Sequence, residues 1–564
     1  MTESRQQAYT ACLRYFAELR GLGVTDVVVS PGSRSTVLAL SAAAAGLDIT
    51  VHHDERVGAF HALGAARASR RPVVLVCTSG TAGANYHPAV IEAHHAGVPL
   101  VVCTSDRPPE LRTWGAGQTV DQVALFGSSV RWFHETPVGD DITDDHARAL
   151  ALRSYDRAMV GAGPVHLNWP FREPLQPTAP LQAPDPTLTV AAAPRSSPSP
   201  RLLELAAAHE RGLVVVGPAD LSGGTAREIA TFAAAVGWPV IADPASGMRT
   251  GGCAAGGSLV TTAELFLGAG DFAATLDAPE VVVRVGLSPT SKAYRLWLEV
   301  HPPQQLILVD PVADWSDPTG SVTEVIHGPV DGLFAVAPNE RTSDWLRMWT
   351  DAEARTAAAA TEFLASNSGE IGIVRRLLAQ LAASDEPANL VVANSMPIRD
   401  VDFGLRPTAA PLRVIANRGA NGIDGVIATA LGVASQSEGH TYVLIGDVAT
   451  LHDLGGLAAV GRMGPSITVI VIDNDAGGIF SILPVRQAIA AETFDQLFST
   501  PHGTDLPAVG EAMGFAVTVV GDGDPVALPP AAGDRPNLVV VRTTVAAMTD
   551  GVAGLRAAVA EALR

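Results

Sequence analysis

Residues 441–480 read TYVLIGDVATLHDLGGLAAVGRMGPSITVIVIDNDAGGIF, and this stretch decides the fold. Tyr442–Ile445 and Ile467–Ile472 are short, apolar and β-branched, and each run stops at a polar residue. Leu454–Met463, between them, is rich in Ala, Leu and Gly and reads as a crossover helix. Two strands buried on both faces and joined by a helix predict a parallel β-α-β unit. Asp447 and Asn474 then stand at the carboxyl ends of the strands, the edge where open parallel sheets bind ligands. Asp and Asn punctuate strand ends in many proteins, so either alone signifies little. Together, 27 residues apart and with DNDAGG in the same unit, they suit a hard divalent cation, Mg2+ or Mn2+. Asp447 would supply charge, Asn474 a neutral oxygen and Ala476 a main-chain carbonyl, with waters and phosphate oxygens completing the shell. Gly477 and Gly478 let the backbone approach a phosphate before the next helix begins.

The bulk composition sets the class. At 564 residues the chain has room for about three domains. It is 47% hydrophobic and 17% charged, an ordinary α/β composition. A net charge of −20 argues against nucleic acid and anionic membranes as partners. Small anionic substrates would need a local basic pocket. Cys12, Cys77, Cys103 and Cys253 lack metal-ligand spacing and read as buried thiols in a reducing compartment. No signal peptide or membrane-spanning run is evident, so no membrane insertion and a cytoplasmic location are expected.

Residues 5–170 alternate helix and strand: a helix over Gln6–Leu22, then strands Asp26–Ser30, Ile49–His52, Val73–Thr78, Leu100–Thr104 and Val165–Trp169. The segment Arg172–Pro200 is too Pro-rich for regular structure and reads as a linker. A second block repeats the alternation with strands Leu213–Val216, Val240–Ala242, Val281–Val285 and Leu306–Val309. Its VVGPADLSGG turn lacks dinucleotide-fingerprint spacing and reads as structural. Helix-rich sequence over Asp344–Ala383 leads to the third block. The expected fold class is therefore α/β, with three doubly wound parallel-sheet domains. The expected boundaries are 1–175, a linker at 176–200, 201–340 and 345–564.

Gly446-Asp447 followed by Asn474 resembles the diphosphate signature of thiamine diphosphate enzymes, with Val448 in place of a Gly and Asp473 in place of an Asn. The run GDVATLHDL is similar to the version in the carboligases of menaquinone biosynthesis. So are SPGSRS, SDRPPELRTWGAGQTVDQ, NSMPIRD, NRGANGIDG, GGIFSILP and FSTPHGTDL. The resemblance covers essentially the whole chain. It implies pyrimidine-binding, central and diphosphate-binding domains, in that order, and thiamine diphosphate held with Mg2+ or Mn2+. Gly446, Asp447, Val448, Asn474, Ala476 and Gly477 would hold the diphosphate and its cation, with Asp447, Asn474 and Ala476 as metal ligands. Arg418 and Gly419 would line the cofactor, Ile423 would prop its bent shape, and Ser395 and Phe480 would touch it. The Ser and Thr of TSGTAGAN (Thr78–Asn85) are expected to cap the next helix.

Glu55 follows the strand Ile49–His52 in VHHDERVGAF. In the first turn of a helix a carboxylate is favoured by the dipole alone. By resemblance, Glu55 is instead the catalytic carboxylate that exchanges a proton with the aminopyrimidine ring. The family draws its pyrimidine- and diphosphate-binding domains from different subunits. A homo-oligomer, dimer or tetramer, with sites at the subunit interface is therefore expected.

Arg34, Arg107, Lys292 and Arg399 stand at turns, where one cleft could gather them, and Arg suits planar recognition of carboxylates. The resemblance implies 2-oxoglutarate and isochorismate as substrates, both dicarboxylates. Ser33, Arg34, Arg107, Gln118 and Lys292 would hold isochorismate, while Ser395, Arg399 and Phe480 would serve the succinyl end. Ala293 departs from the basic residue expected after Lys292, with Arg295 the nearest substitute. Another thiamine diphosphate-dependent 2-oxo acid decarboxylase, or an acetolactate synthase-like carboligase, is the alternative reading. A substrate poor in carboxylates would not need these basic turns together. A non-catalytic binding protein of the same fold would have little use for Glu55.

Overall fold

A computed structural model describes residues 2–138, 141–190, 196–253, 257–312, 314–463, 467–521, 524, 526–529 and 535–564, with backbone alone for 2–6. The chain divides into two compact units. One comprises Met1–Ala193 with Gly419–Ser437 and Asp453–Met463; the other comprises Pro194–Arg418, Glu438–His452 and Gly464–Arg564.

The first unit holds a six-stranded sheet built from β1 (Asp26–Val29), β2 (Asp48–Val51), β3 (Val73–Cys77), β4 (Leu100–Asp106), β5 (Trp132–Glu135) and β6 (Pro164–Pro170). The order is β2-β1-β3-β4-β6-β5, and every pairing is parallel. β3, β4 and β6 are buried along their whole length, which explains the unbroken apolar run of β3 and the apolar start of β4. The chain steps out from β1 to β2 and returns to β3, so a crevice opens at the carboxyl ends of β1 and β3.

Two later helices complete this unit. The helix Val426–Gln436 crosses Glu55–Ser69 so closely that a Cβ on Gly432 would lie 1.9 Å from the His61 carbonyl. A Cβ on Gly64 would lie 1.9 Å from the Thr429 carbonyl. A glycine on each helix therefore permits the crossing. Asp453 accepts the amide protons of Ile427 (2.7 Å) and Ala428 (3.1 Å), satisfying the helix start that Gly425 cannot cap.

Part of the Pro-rich segment is fastened down. An extended chain without internal bonds must find partners for its amides, and the buried Glu18 accepts those of Thr187 (2.9 Å) and Leu188 (2.8 Å). Tyr9 donates to the Leu175 carbonyl at 2.7 Å, and Leu175 is part of the first core. Residues 191–195 of the expected linker lie outside the described residues.

The second unit contains two further sheets. β7 (Gly212–Val216), β8 (Val240–Ala242), β9 (Leu259–Val260), β10 (Val281–Val285), β11 (Gln305–Asp310) and β12 (Glu324–His327) run in the order β12-β11-β10-β7-β8-β9. β13 (Ala388–Val392), β14 (Leu412–Ala416), β15 (His440–Gly446), β16 (Ile467–Asp473), β17 (Ala516–Val520) and β18 (Asn537–Arg542) run in the order β14-β13-β15-β16-β18-β17. All pairings are again parallel. The expected α/β class with three doubly wound sheets is what the chain forms. One core cluster joins residues of the second sheet to the helices Asp344–Ser366 and Val545–Leu563. Trp345 and Trp349 anchor that joint, and Trp345 donates to the Gly212 carbonyl at 2.7 Å.

Candidate active site

In the third sheet the chain steps from β13 out to β14 and back to β15, which places the crevice between the ends of β13 and β15. Asp447 follows β15 directly. It opens a short helix, Asp447–His452, rather than ending a strand. Its carboxylate is 2% exposed and held by three amides: Val448 on Oδ1 at 2.7 Å, Asn474 and Ala476 on Oδ2 at 3.0 and 3.1 Å. Burial still raises its pKa, and those amides lower it only in part. A counter-charge is what this carboxylate lacks.

The other expected ligands stand beside it. Asn474 Oδ1 is buried without a hydrogen-bond partner. The Ala476 carbonyl accepts from Gly478 at 2.9 Å and keeps a second lone pair. A Cβ on Gly446 would meet nothing within 4 Å, so the space above the strand end is open. Gly477 is tight: a Cβ there would lie 2.9 Å from the Phe498 carbonyl and 3.0 Å from the Phe480 ring. An unpaired oxygen, a carboxylate short of positive charge and open space fit a small hard cation bound with phosphate.

His502 joins this cluster, and nothing local in the sequence assigns it a role. Its Nε2 lies 3.5 Å from Asp447 Oδ2, and its Nδ1 accepts from the Thr504 amide at 3.0 Å. Nε2 is buried without a hydrogen-bond partner among the described residues, so the ring stands beside Asp447 without being bonded to it. Asp473 completes the acidic group and is paired with Arg542 at 3.2 Å. Glu370 and Asp400 are both almost wholly buried, and among the described residues Glu370 Oε2 and both Asp400 oxygens have no hydrogen-bond partner. Burial raises both carboxyls, Asp400 furthest.

Ser395 follows β13 with φ +71°, a strained setting for a non-glycine residue, and its carbonyl accepts from Arg399. Burial pulls the Arg399 pKa down, while Glu264, Asp400 and Asp402 around it push it up. A substrate carboxylate would share this guanidinium with those three acids. Arg418, after β14, donates to Asn394 Oδ1 at 2.7 Å. Phe480 is 36% exposed and packs on Phe498 with ring centres 5.8 Å apart. Lys292 is exposed in the first turn of its helix, a poor place for a cation, and Arg295 pairs with Glu299 at 3.0 Å.

In the first unit, Ser33 and Arg34 follow β1, Glu55 follows β2, and Arg107 follows β4. Asp54 is the cap of the Glu55–Ser69 helix, accepting from Arg56 (2.8 Å) and Val57 (3.3 Å). Glu55 is therefore not needed as the cap. Arg34 is 5% exposed and donates to the Phe171 carbonyl (3.0 Å) and Glu173 (2.7 Å). Arg107 donates to Ser79 Oγ and, at 2.9 Å, to the Gln118 carbonyl; Gln118 returns a bond to the Ser79 carbonyl at 3.0 Å. Burial lowers the Arg107 pKa, and the nearby Arg34 charge lowers it further. Ser33 is exposed. The expected Ser/Thr cap is absent: the helix Thr81–Asn85 starts at Gly80 without a side-chain cap. The Gly80 amide is satisfied instead by Gln122 Oε1 at 2.9 Å. Gly419 is held by Glu92, whose two carboxylate oxygens accept from Gly419 (2.8 Å) and Ala420 (2.6 Å), and half-buried Ile423 follows on that loop.

Family descriptions match all three blocks. Residues 14–125 match "Thiamine pyrophosphate enzyme, N-terminal TPP binding domain" and residues 403–531 its C-terminal counterpart. Residues 181–386 match "Middle domain of thiamine pyrophosphate". Three parallel sheets with that domain series define a thiamine pyrophosphate enzyme. The chain is 43% identical over 505 residues to the 2-succinyl-5-enolpyruvyl-6-hydroxy-3-cyclohexene-1-carboxylate synthase of Chloroflexus aurantiacus, covering 86% of this chain and 84% of that one. The enzyme of the same name from Geobacillus kaustophilus is 42% identical over 503 residues (86% and 85%), and that of Haloquadratum walsbyi 39% over 553 (87% and 87%). The chain belongs to the 2-succinyl-5-enolpyruvyl-6-hydroxy-3-cyclohexene-1-carboxylate synthase family. Among the described residues, no helix is long and apolar enough to cross a membrane.

Proposed function

We propose that the protein decarboxylates 2-oxoglutarate and adds the succinyl unit to isochorismate in a 1,4-addition. The products are CO2 and 2-succinyl-5-enolpyruvyl-6-hydroxy-3-cyclohexene-1-carboxylate, on the way to menaquinone. Bound thiamine diphosphate supplies the nucleophile and electron sink for the decarboxylation. Asp447, Asn474 and the Ala476 carbonyl hold the Mg2+ or Mn2+ that offsets the diphosphate charge, with Gly446, Val448 and Gly477 on the phosphates. Arg418, Gly419, Ile423 and Phe480 shape the cofactor's surroundings, and Glu55 exchanges a proton with its aminopyrimidine ring. Ser33, Arg34, Arg107, Gln118 and Lys292 receive isochorismate, and Ser395 and Arg399 receive the succinyl carboxylate. The domains are taken as 1–175, 201–340 and 345–564, with residues 176–200 as the link. Two chains at least assemble, as a dimer or tetramer, each completing the other's site, and the enzyme works in the cytoplasm.

The observation that carries the substrate reading is the pairing of Arg34 and Arg107. Burial lowers the Arg107 pKa and the neighbouring Arg34 charge lowers it further, and an anion bound at that sheet edge would offset both. The test is direct: protein, thiamine diphosphate, Mg2+, 2-oxoglutarate and isochorismate, with CO2 and product mass followed together. Adduct of the expected mass supports the reading. CO2 release from pyruvate as fast as from 2-oxoglutarate, without adduct, would replace it with a simple decarboxylase.

A further inference from the structure

Pro108 and Pro109 follow Arg107, and neither has an amide proton to give. The main chain that carries the Arg107 side chain away from β4 therefore lacks ladder bonds. The turn's internal bonds, from Leu111 and Arg112 to Pro108 and Pro109, begin beyond it. A long side chain on an unheld turn would meet a substrate in many poses, and a displacement of about 1 Å can cost roughly a hundredfold in rate. Something else must fix that turn.

The peptide groups of Arg107 show what does. Its N–H donates to Asp106 Oδ1 at 2.7 Å, and its carbonyl accepts from Arg112 Nε at 3.3 Å. Arg112 closes the ring, because its Nη2 is ion-paired with Asp106 Oδ2 at 2.9 Å. Two neighbouring strands hold this clamp in turn. Arg112 Nη1 donates to Glu135 at the end of β5 (2.8 Å), and Asn168 in β6 donates to Asp106 Oδ2 (2.9 Å). Asn168 Oδ1 accepts from Gln122 Nε2 at 3.1 Å, and Gln122 Oε1 takes the Gly80 amide beside Ser79. The main chain of Arg107 and its Ser79 contact thus belong to one network.

The guanidinium held this way keeps an edge to spare. Its bonds to Ser79 Oγ and the Gln118 carbonyl both come from Nη1. Among the described residues, Nε and Nη2 of Arg107 make no bond, and together they form the planar fork that matches a carboxylate. We propose that Arg112, with Asp106, is a positioning residue for Arg107, fixing the turn that presents this edge to a carboxylate of isochorismate. The inference rests on the isochorismate site proposed above. Stability is a poor reason for the pair, since apolar replacements of a buried ion pair often leave a fold as stable.

The test uses the full-length protein with thiamine diphosphate and Mg2+. It follows CO2 release from 2-oxoglutarate alone, and adduct formation at varied isochorismate. Arg112→Met should lower kcat/KM for isochorismate about ten- to a hundredfold while CO2 release stays near wild type. Asp106→Asn keeps the shape and an oxygen for the Arg107 amide, but it turns N–H groups toward Arg112 and Asn168. It should lose isochorismate in the same selective way, and it carries the test should Arg112→Met fail to fold. The proposal is overturned if either folded variant uses isochorismate like wild type, or if both half-reactions fall together. Loss in Arg112→Met without loss in Asp106→Asn would mean that Arg112 touches the substrate itself. Arg107→Ala separates the two levels. Wild-type kcat/KM for isochorismate in that variant would remove the site reading, and the proposal with it. A loss there, beside wild-type values in the Arg112 and Asp106 variants, would remove the positioning role alone.

Discussion

Asp54 and Glu55 are neighbours with divided tasks. Asp54 meets the helix amides, and the proposed function gives Glu55 the exchange of a proton with the cofactor. The same division separates the three arginines. Arg399→Ala should strand a desolvated substrate carboxylate, a loss of about 2–5 kcal/mol or roughly thirty- to several-thousand-fold in kcat/KM for 2-oxoglutarate. Trace turnover of pyruvate should change little. Arg34→Ala and Arg107→Ala should spare CO2 release and abolish adduct formation. Following the two half-reactions separately decides the matter, since equal losses in all three variants would make these residues structural. Buried histidines set the acid limit. Burial holds both His61 and His166 near a pKa of about 3, with His52 adding to the effect on His61. Each is neutral when folded and free to protonate when unfolded. Their contribution is complete above the unfolded value of about 6.5 and is lost as pH falls toward 3. At pH 5 each should cost about 2 kcal/mol of stability. Denaturant melts at pH 7 and 5 should show this, and His166→Gln should flatten the dependence.

Elements differ in how plainly the sequence announces them. β3, β10 and β16 are buried runs of Val, Ile and Leu, and residues of that kind in short blocks admit few other readings. β5 (WFHE), β12 (EVIH) and the two-residue β9 lie at sheet edges, where half-burial tolerates polar residues and the signal fades. Strand ends were legible too, which is why Asp447, Arg34 and Arg107 could be singled out from the residues, whereas Ser33, Glu55 and Ser395 were named through the family resemblance. Their supporting partners could not be read, because Glu92 reaches Gly419 across 327 residues and no local pattern records such a bond. The same holds for the approach of His502 to Asp447. The Pro-rich segment was legible as irregular, though not as fastened to Glu18. The glycine pair at the helix crossing is testable as an element. Gly432→Ala forces a methyl into the His61 carbonyl, and overpacking of this kind costs typically about 1–3 kcal/mol. The melt of that variant should drop, and thiamine diphosphate binding should weaken with it, since Gly419 and Ile423 lead into the same helix. A wild-type melt would show that the two helices can separate freely.

At the scale of the whole molecule, the proposed sharing of sites between chains can be checked by complementation. Glu55→Gln and Asp447→Ala should each be nearly inactive alone. Mixed after dissociation and reassociation, they should regain activity, because a hybrid dimer carries one intact pair of residues and one doubly damaged pair. No recovery after subunit exchange proven by mass would mean that each chain completes its own site. The division of the chain into units has another consequence, one of timing. The first unit begins at the amino terminus but takes its last pieces, Gly419–Ser437 and Asp453–Met463, from far along the chain. At about 5–20 residues per second, a ribosome needs roughly 10–45 s to make the 225 residues between Ala193 and Gly419. Throughout that interval the Glu55–Ser69 helix waits with its glycine-lined flank uncovered, Phe60 included, against which Gly425 later packs. The newborn first domain should therefore be prone to aggregate until the distant segment emerges. A gene fragment ending at residue 193 should yield aggregate, and co-expressing residues 400–564 should rescue part of it into the soluble fraction.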